Sequence, residues 1–166
     1  DFSLLDQDGY FHNMSWYDDH TVIALLVQAN DSQATNSAVA GFNALKVKYD
    51  SQGVEFMMIN PMGRSNREAV KAKVAEYGVN IPVLMDDAQV ISESLGIAKT
   101  GEVLLFNPKS FSVEYQGPVA ESESAISELL AGKPVSKPLV ASTGSSVTYG
   151  ASLMHAQAPV SYEKDV

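Results

Sequence analysis

Cysteine is missing from all 166 positions of the chain. Without it, the protein has no disulfide bonds, no thiolate ligands for zinc or iron–sulfur clusters, no covalent attachment point for haem and no cysteine nucleophile. This absence narrows the chemistry open to the protein more than any motif that the sequence contains.

Basic side chains are scarce as well. The chain has 11 Lys and Arg residues against 20 Asp and Glu residues, which gives a formal net charge of −9 at pH 7. Nonspecific binding to nucleic acid or to anionic lipid needs a basic face. The charge balance therefore disfavours both kinds of partner.

The sequence also lacks long apolar segments. Its longest apolar run, at 22–27, is far shorter than the roughly 20 residues that span a bilayer, so we expect no membrane insertion. The chain begins at Asp1, without a basic segment followed by an apolar one. We therefore interpret it as a processed product or a piece of a longer protein.

Two apolar runs, 22–27 and 54–59, are each bounded by polar residues. The first is unbroken and the second is interrupted only by Glu55; such runs are typical of central strands that are buried on both faces of a sheet. We predict that they are adjacent and parallel, because a helical pattern lies between them. Turn residues and periodicity predict the remaining elements: hairpins around 8–9 and 107–110, a short strand at 82–85, helices at 36–50, 65–77 and 122–131, and a short helix before Gly96.

Two helix starts carry a capping signal. Ser65 and Glu68 have the spacing of a capping box, in which each side chain satisfies an unpaired backbone amide. Asp87 is placed to cap the short helix, so we interpret Asp86 and Asp87 as a strand-end turn and a cap rather than an acid–base pair.

The order of these elements alternates strands with helices in the middle of the chain and adds a hairpin on either side. This order predicts an α/β fold of the thioredoxin-like sandwich type, with a central mixed sheet flanked by helices and an N-terminal β-hairpin. We assign this domain to residues 1–132. From 133 to 166, proline, glycine and small residues prevail, which indicates an extended tail or a linker to a following domain.

Several segments resemble the redoxins, the alkyl hydroperoxide reductase/thiol-specific antioxidant (AhpC/TSA) branch of the thioredoxin superfamily, which includes the peroxiredoxins. The opening Phe2-Ser3-Leu4-Leu5-Asp6-Gln7-Asp8-Gly9 is similar to the redoxin pattern F-x-L-x-D-x-D-G. The resemblance continues through 45–60 and 82–86 and ends at Leu129-Leu130-Ala131-Gly132-Lys133-Pro134-Val135. It implies an oxidoreductase ancestry and a thioredoxin-like fold.

The residues that carry redoxin chemistry are absent at the matching positions. The family places a cysteine in the first turn of the helix after the first central strand, where Ser32 and Thr35 stand here. Its cis-proline segment reads Thr100-Gly101-Glu102 in this chain, without the proline. Related redoxin fusions carry a Gly-Cys pair further on, and here the pair is Gly144-Ser145. The resemblance thus implies a degenerate redox site at Ser32, Thr35, Thr100, Gly101 and Ser145.

Cysteines replaced by design would explain Ser32 and Ser145 but not Gly101, so we favour natural loss. The last seven residues, 160–166, resemble the segment that precedes a cytochrome c-like domain in redoxin fusions. Some of those proteins also carry a copper monooxygenase-like domain and are exported. The resemblance therefore favours a periplasmic or extracellular location and neighbouring domains of the same polypeptide as partners.

Three functional hypotheses follow. The first is a redox-inactive thioredoxin-like domain, with no cofactor, that acts as a structural or protein-interaction module of a larger exported protein. The second is a thiol-dependent antioxidant, peroxidase or disulfide oxidoreductase domain whose cysteines are substituted in this chain. The third is a copper-binding module that uses Met154 and His155, a ligand pair suited to that soft metal.

Overall fold

The computed structural model of the chain describes residues 1–63 and 66–150. The elements follow one another as β1 (Ser3–Leu5), β2 (Phe11–Asn13), β3 (Val22–Val27), α1 (Gln33–Tyr49), β4 (Val54–Asn60), α2 (Arg67–Tyr77), β5 (Val83–Met85), α3 (Val90–Ser94), β6 (Val103–Phe106), β7 (Val113–Gly117) and α4 (Val119–Leu130). Their order confirms the predicted α/β class, including the two hairpins.

The five-stranded main sheet has the order β5-β4-β3-β6-β7. Strands β3 and β4 are parallel, with Val22 opposite Val54, whereas β6 runs antiparallel to β3. All six residues of β3 are buried, as expected for an apolar run with cores on both sides. The predicted parallel pairing of 22–27 with 54–59 is confirmed, and β3 is the central strand.

Alternate residues of β3 supply two separate cores, because successive strand side chains point to opposite faces. Ala24 and Leu26 lie in the first core, which α1, α2 and α4 cover. Ile23 and Leu25 lie in the second core, which is covered by the N-terminal hairpin, α3 and part of the segment after α4. The helices therefore flank the sheet as predicted, with three of them on one face.

Two predicted helix caps are wrong. The N-cap of α2 is Asn66, whose side-chain oxygen accepts hydrogen bonds from the Glu68 and Ala69 amides; Ser65 lies outside the described residues. The N-cap of α3 is Gln89, without a side-chain hydrogen bond, and the carboxylate that bonds to this helix is that of Asp86, whose Oδ2 accepts from the Ser92 amide and hydroxyl at 2.6 Å each. Neighbouring polar residues satisfy the same pattern, and only the path of the backbone selects one.

The segment after α4 lies against the domain as far as it is described. Val135 and Val140 pack on the first core, whereas Val147 is 9 % exposed within the second. Tyr149 packs there as well, and its hydroxyl donates to the Ile97 carbonyl. Residues 133–150 thus run along the surface in extended form and add side chains to both cores. The boundary at 132 and the linker role of 133–166 stay predictions.

Replacing Val147 with alanine tests how far this segment contributes to the fold. We expect V147A to lower the free energy of unfolding by about 1–2 kcal/mol, because it removes two buried methyl-sized groups. The matched control is L139A, since Leu139 is 75 % exposed and its loss should change stability by less than about 0.5 kcal/mol. Urea denaturation measures both, and equal midpoints would show that 133–150 is not part of the folded unit.

Candidate functional site

Ser32 begins the site, because it is the residue at which the chain turns from β3 into α1. It is the N-cap of α1, and its hydroxyl oxygen accepts a hydrogen bond from the Thr35 amide at 3.1 Å. A serine in this place satisfies one of the amides that a helix start leaves unpaired. The site residue at 32 is therefore held by the helix that follows it.

Thr35 fixes the loop between β3 and α1 from the inside. It is fully buried, its hydroxyl donates to the Val27 carbonyl at 2.9 Å, and the same oxygen accepts from the Ala29 amide at 3.3 Å. Both contacts are local, yet together they tie the end of β3 to the first turn of α1. The position of Ser32 follows from them.

Thr100 connects three segments that are far apart in sequence. Its hydroxyl accepts hydrogen bonds from the Ser32 hydroxyl at 2.8 Å and from the Ser145 amide at 3.1 Å. The Thr100 amide in turn donates to the Ser145 carbonyl at 2.9 Å. The structure therefore brings Ser32, Thr35, Thr100 and Ser145 together, and Gly101 follows directly.

Gly101 has a backbone that no proline can adopt. Its φ is +81°, in the left-handed region, whereas proline is restricted to about −65°. A Cβ at this position would lie 2.7 Å from the Ala34 carbonyl carbon, and the Gly101 amide donates to the Val27 carbonyl. No peptide bond in the described residues is cis. The structure at 101 is thus incompatible with the proline that the redoxin pattern would place there.

A buried carboxylate, which the sequence did not single out, holds this loop in place. Glu102 is 3 % exposed, and its Oε2 accepts from the Ala98 amide at 2.9 Å, the Lys99 amide at 3.1 Å and the Gln116 side chain at 2.9 Å. Buried carboxylates need such donors. The available signal was an acidic residue directly before the apolar run of β6.

A cleft of about 430 Å³ opens beside these residues. Gln33, Ala34 and Ser37 of α1 form one wall, and Gly101, Val119 and Thr143 belong to the others. The Ser142 hydroxyl, on the same cleft, is buried without a hydrogen-bond partner. Small and neutral side chains prevail here, so the cleft offers shape and hydrogen bonds rather than charge.

The hydroxyls of this cluster are not activated for nucleophilic attack. The Ser32 hydroxyl donates a hydrogen bond to the Thr100 hydroxyl and accepts one from the Thr35 amide. Neither of these partners is a base. A serine nucleophile requires a neighbouring base that takes its proton, usually a histidine. The geometry therefore provides structural hydrogen bonds at the position where the resemblance to redoxins predicts a thiol.

The other candidate residues lie elsewhere. His12 is in β2, where its Nε2 is 2.7 Å from Asp6 Oδ2. Within residues 1–63 and 66–150, no group of three or more His, Asp or Glu residues is arranged to hold a metal ion. Met154 and His155 lie outside the described residues, so copper binding by them stays a prediction. No helix in the described part has the length and hydropathy needed to cross a bilayer.

Comparison with known proteins decides the family. The family model described as "AhpC/TSA family" matches residues 1–122. The chain belongs to the AhpC/TSA family. The match includes four of the five site positions, Ser32, Thr35, Thr100 and Gly101; Ser145 lies beyond it. Among curated proteins, none matches the chain significantly.

Solved structures show the same fold at low identity. A hypothetical protein from Sinorhizobium meliloti 1021 is 22 % identical, with 91 % of this chain and 92 % of that one covered and a TM-score of 0.77. A thioredoxin-like protein from Aeropyrum pernix is 19 % identical, with coverages of 76 % and 88 % and a TM-score of 0.64. A putative thiol:disulfide interchange protein DsbE from Chlorobium tepidum is 17 % identical, with coverages of 78 % and 93 % and a TM-score of 0.68. These likenesses show a thioredoxin-like fold for this AhpC/TSA chain.

An alanine at Gly101 tests how tightly the loop is packed on α1. We expect G101A to destabilise the protein by about 1–3 kcal/mol more than G78A, because the new Cβ collides with Ala34. The control residue, Gly78, also has a positive φ, of +68°, but nothing lies within 4 Å of an added Cβ, so G78A carries only the backbone cost of about 1–2 kcal/mol. Equal losses in urea denaturation would contradict the close packing.

Proposed function

We propose that this AhpC/TSA chain is a redox-inactive thioredoxin-like domain that serves as a structural or protein-interaction module of a larger exported protein. One observation carries the proposal. In a chain without cysteine, the helix N-cap at which a redoxin would hold its thiolate is Ser32.

The chemistry of serine supports loss of the redox reaction. Reduction of a peroxide or a disulfide needs a thiolate that attacks and is then oxidised, and a hydroxyl has neither that acidity nor a redox couple. Ser32 is also 7 % exposed and bonded to Thr100. A substrate would meet a covered hydroxyl at this position.

The loop at Gly101 supports natural loss of the cysteines. A design that replaces Cys with Ser changes single atoms and leaves the surrounding backbone as it was. Here the backbone at 101 is left-handed and packs so closely on Ala34 that no side chain fits. Such a loop is expected of a protein whose site has changed as a whole.

One arrangement favours the second candidate, a thiol-dependent oxidoreductase with substituted cysteines. The Ser32 hydroxyl and the Ser145 backbone amide both donate to the Thr100 hydroxyl, so the two positions at which the family resemblance expects cysteine adjoin the same residue. The native gene discriminates between the candidates: cysteine codons at 32 and 145 favour the oxidoreductase, and serine codons favour the module. A Cys-x-x-Cys-His sequence beyond residue 166 would establish a cytochrome c-like neighbour.

The unmodified chain should not reduce hydrogen peroxide or insulin disulfides faster than a sample without protein, because it has no thiolate to oxidise. A cysteine-containing redoxin in the same assays serves as the positive control. Turnover of either substrate by the unmodified chain would refute the proposal.

A cysteine placed at position 32 tests whether the site still has the electrostatics of a redoxin. We expect the thiol of S32C to have a pKa below the usual value of about 8.5, because the N-terminus of α1 and the Thr35 amide favour a thiolate. S145C is the matched control, since Ser145 is exposed and its thiol should titrate near the usual value. Ultraviolet thiolate absorbance against pH measures both pKa values. A pKa of S32C at or above that of S145C would contradict this expectation.

A further inference from the structure

The outward face of the N-terminal hairpin is apolar and exposed. Leu5 of β1 lies opposite Phe11 of β2, and cross-strand partners point to the same side of a sheet. The ring of Trp16 packs edge-on against Phe11, with centroids 5.7 Å apart. These three residues, which we call the hairpin face, are between 44 % and 58 % exposed.

Such a cluster differs from the scattered apolar residues of an ordinary surface. Burying each of these side chains fully would contribute about 1.5–3 kcal/mol. Contiguous exposed apolar patches mark interaction sites, and tyrosine, tryptophan and phenylalanine are enriched at the centres of protein interfaces. The composition of the hairpin face is that of an interface.

Buried contacts hold the hairpin rigidly against the domain. Asp6 is 4 % exposed, and its Oδ1 accepts from the Asp8 amide at 2.9 Å and the Tyr10 amide at 3.0 Å, which fixes the turn. Its Oδ2 lies 2.7 Å from His12 Nε2 in the second strand. Met14, fully buried, anchors the chain after β2. A surface fixed before binding loses less conformational entropy when a partner docks.

The surroundings of the hairpin face are acidic. Asp8 lies in its turn, Asp18 and Asp19 follow Trp16 closely, and all three are exposed. Exposed Asp87 lines a groove of about 340 Å³ together with Leu5 and Phe11. Among residues 1–63 and 66–150, the cations near the hairpin are Arg67, on the same groove, and Lys71, whose Nζ is 3.8 Å from Asp8. With a net charge of −9 on the whole chain, a basic surface is complementary and a second copy is repelled.

We infer that the hairpin face docks a protein surface in which apolar anchor residues are flanked by lysine or arginine. This inference rests on the proposed function, since it names the surface through which an interaction module would act. The apolar anchors bury the aromatic rings, and the basic residues pair with the aspartates at the rim. Neither role involves the Ser32–Thr100 site.

The single tryptophan of the chain reports directly on this surface. The probe is a synthetic amphipathic peptide of leucine and lysine, and the control peptide replaces each lysine with glutamate. We expect the leucine–lysine peptide to shift Trp16 emission to the blue, as the ring leaves water. The control peptide should leave Trp16 emission unchanged. Added salt should weaken binding of the leucine–lysine peptide, because it screens the attraction between lysine and aspartate.

Matched variants localise the binding. Measured by fluorescence anisotropy of the labelled peptide, F11S should weaken binding about tenfold or more, as expected for an interface centre. V47S is the control, because Val47 is an equally apolar residue on α1 and is 80 % exposed. It should bind as the unmodified chain does.

Four results would overturn the inference: equal binding of both peptides, equal weakening by F11S and V47S, a dimer of the free chain in sedimentation, or buried-type Trp16 emission before any peptide is added. A dimer of the free chain would assign the hairpin face to a second copy. Buried-type emission before peptide is added would assign it to residues 151–166 of the chain itself. None of them depends on redox turnover. A failure here therefore leaves the proposal of redox inactivity standing, and peroxide turnover would leave this surface unaffected.

Discussion

The hydrogen bonds of one buried hydroxyl, that of Thr100, connect three segments of this molecule that are far apart in sequence. Through it the start of α1 meets the loop before β6, and both meet the segment after α4. Each contact is neutral, and a typical hydrogen bond of this kind contributes only about 0.5–1.5 kcal/mol. Leaving the buried hydroxyl of Ser32 or Thr100 unpaired would cost more, so these two residues constrain each other, and the Ser145 amide is held against them. The residues at the positions that resemble a redoxin site thus form structural hydrogen bonds between separate segments of the chain.

The sequence predicted the sheet and failed at its details, for reasons that particular residues illustrate. The runs 22–27 and 54–59 determined β3 and β4, because a strand with a core on each side is apolar at nearly every position, with Glu55 the one exception here. Ser65 and Asp87 were expected to cap helices, whereas Asn66 and Asp86 bond there. Periodicity cannot decide between adjacent polar residues. The site positions came from resemblance, yet their mutual contacts did not, since Ser32 and Thr100 are 68 residues apart.

Glu102 and Asp6 show a second limit of the sequence. Both are buried carboxylates that fix a turn by accepting backbone amides, and in sequence both look like surface residues, because aspartate and glutamate are rarely buried. The two have opposite consequences for function. Glu102 stabilises the loop whose backbone at Gly101 excludes a proline. Asp6 stabilises the hairpin whose outer face is exposed to solvent. The proposed loss of chemistry and the proposed gain of an interface thus rely on the same kind of buried contact at different ends of the domain.

The backbone at Gly101 also limits how a redoxin site could be built into this domain. Cysteine at 32 needs one substitution, but proline at 101 would need a new φ, a lost hydrogen bond to Val27 and a displaced Ala34. Gly144, where an added Cβ would collide with the Thr100 carbonyl, closes the loop from its other side. Of the redox-site residues that the resemblance implies, proline at 101 is therefore the one that the present backbone excludes. A cysteine at 32 alone would supply a thiol without the proline that the redoxin pattern places beside it.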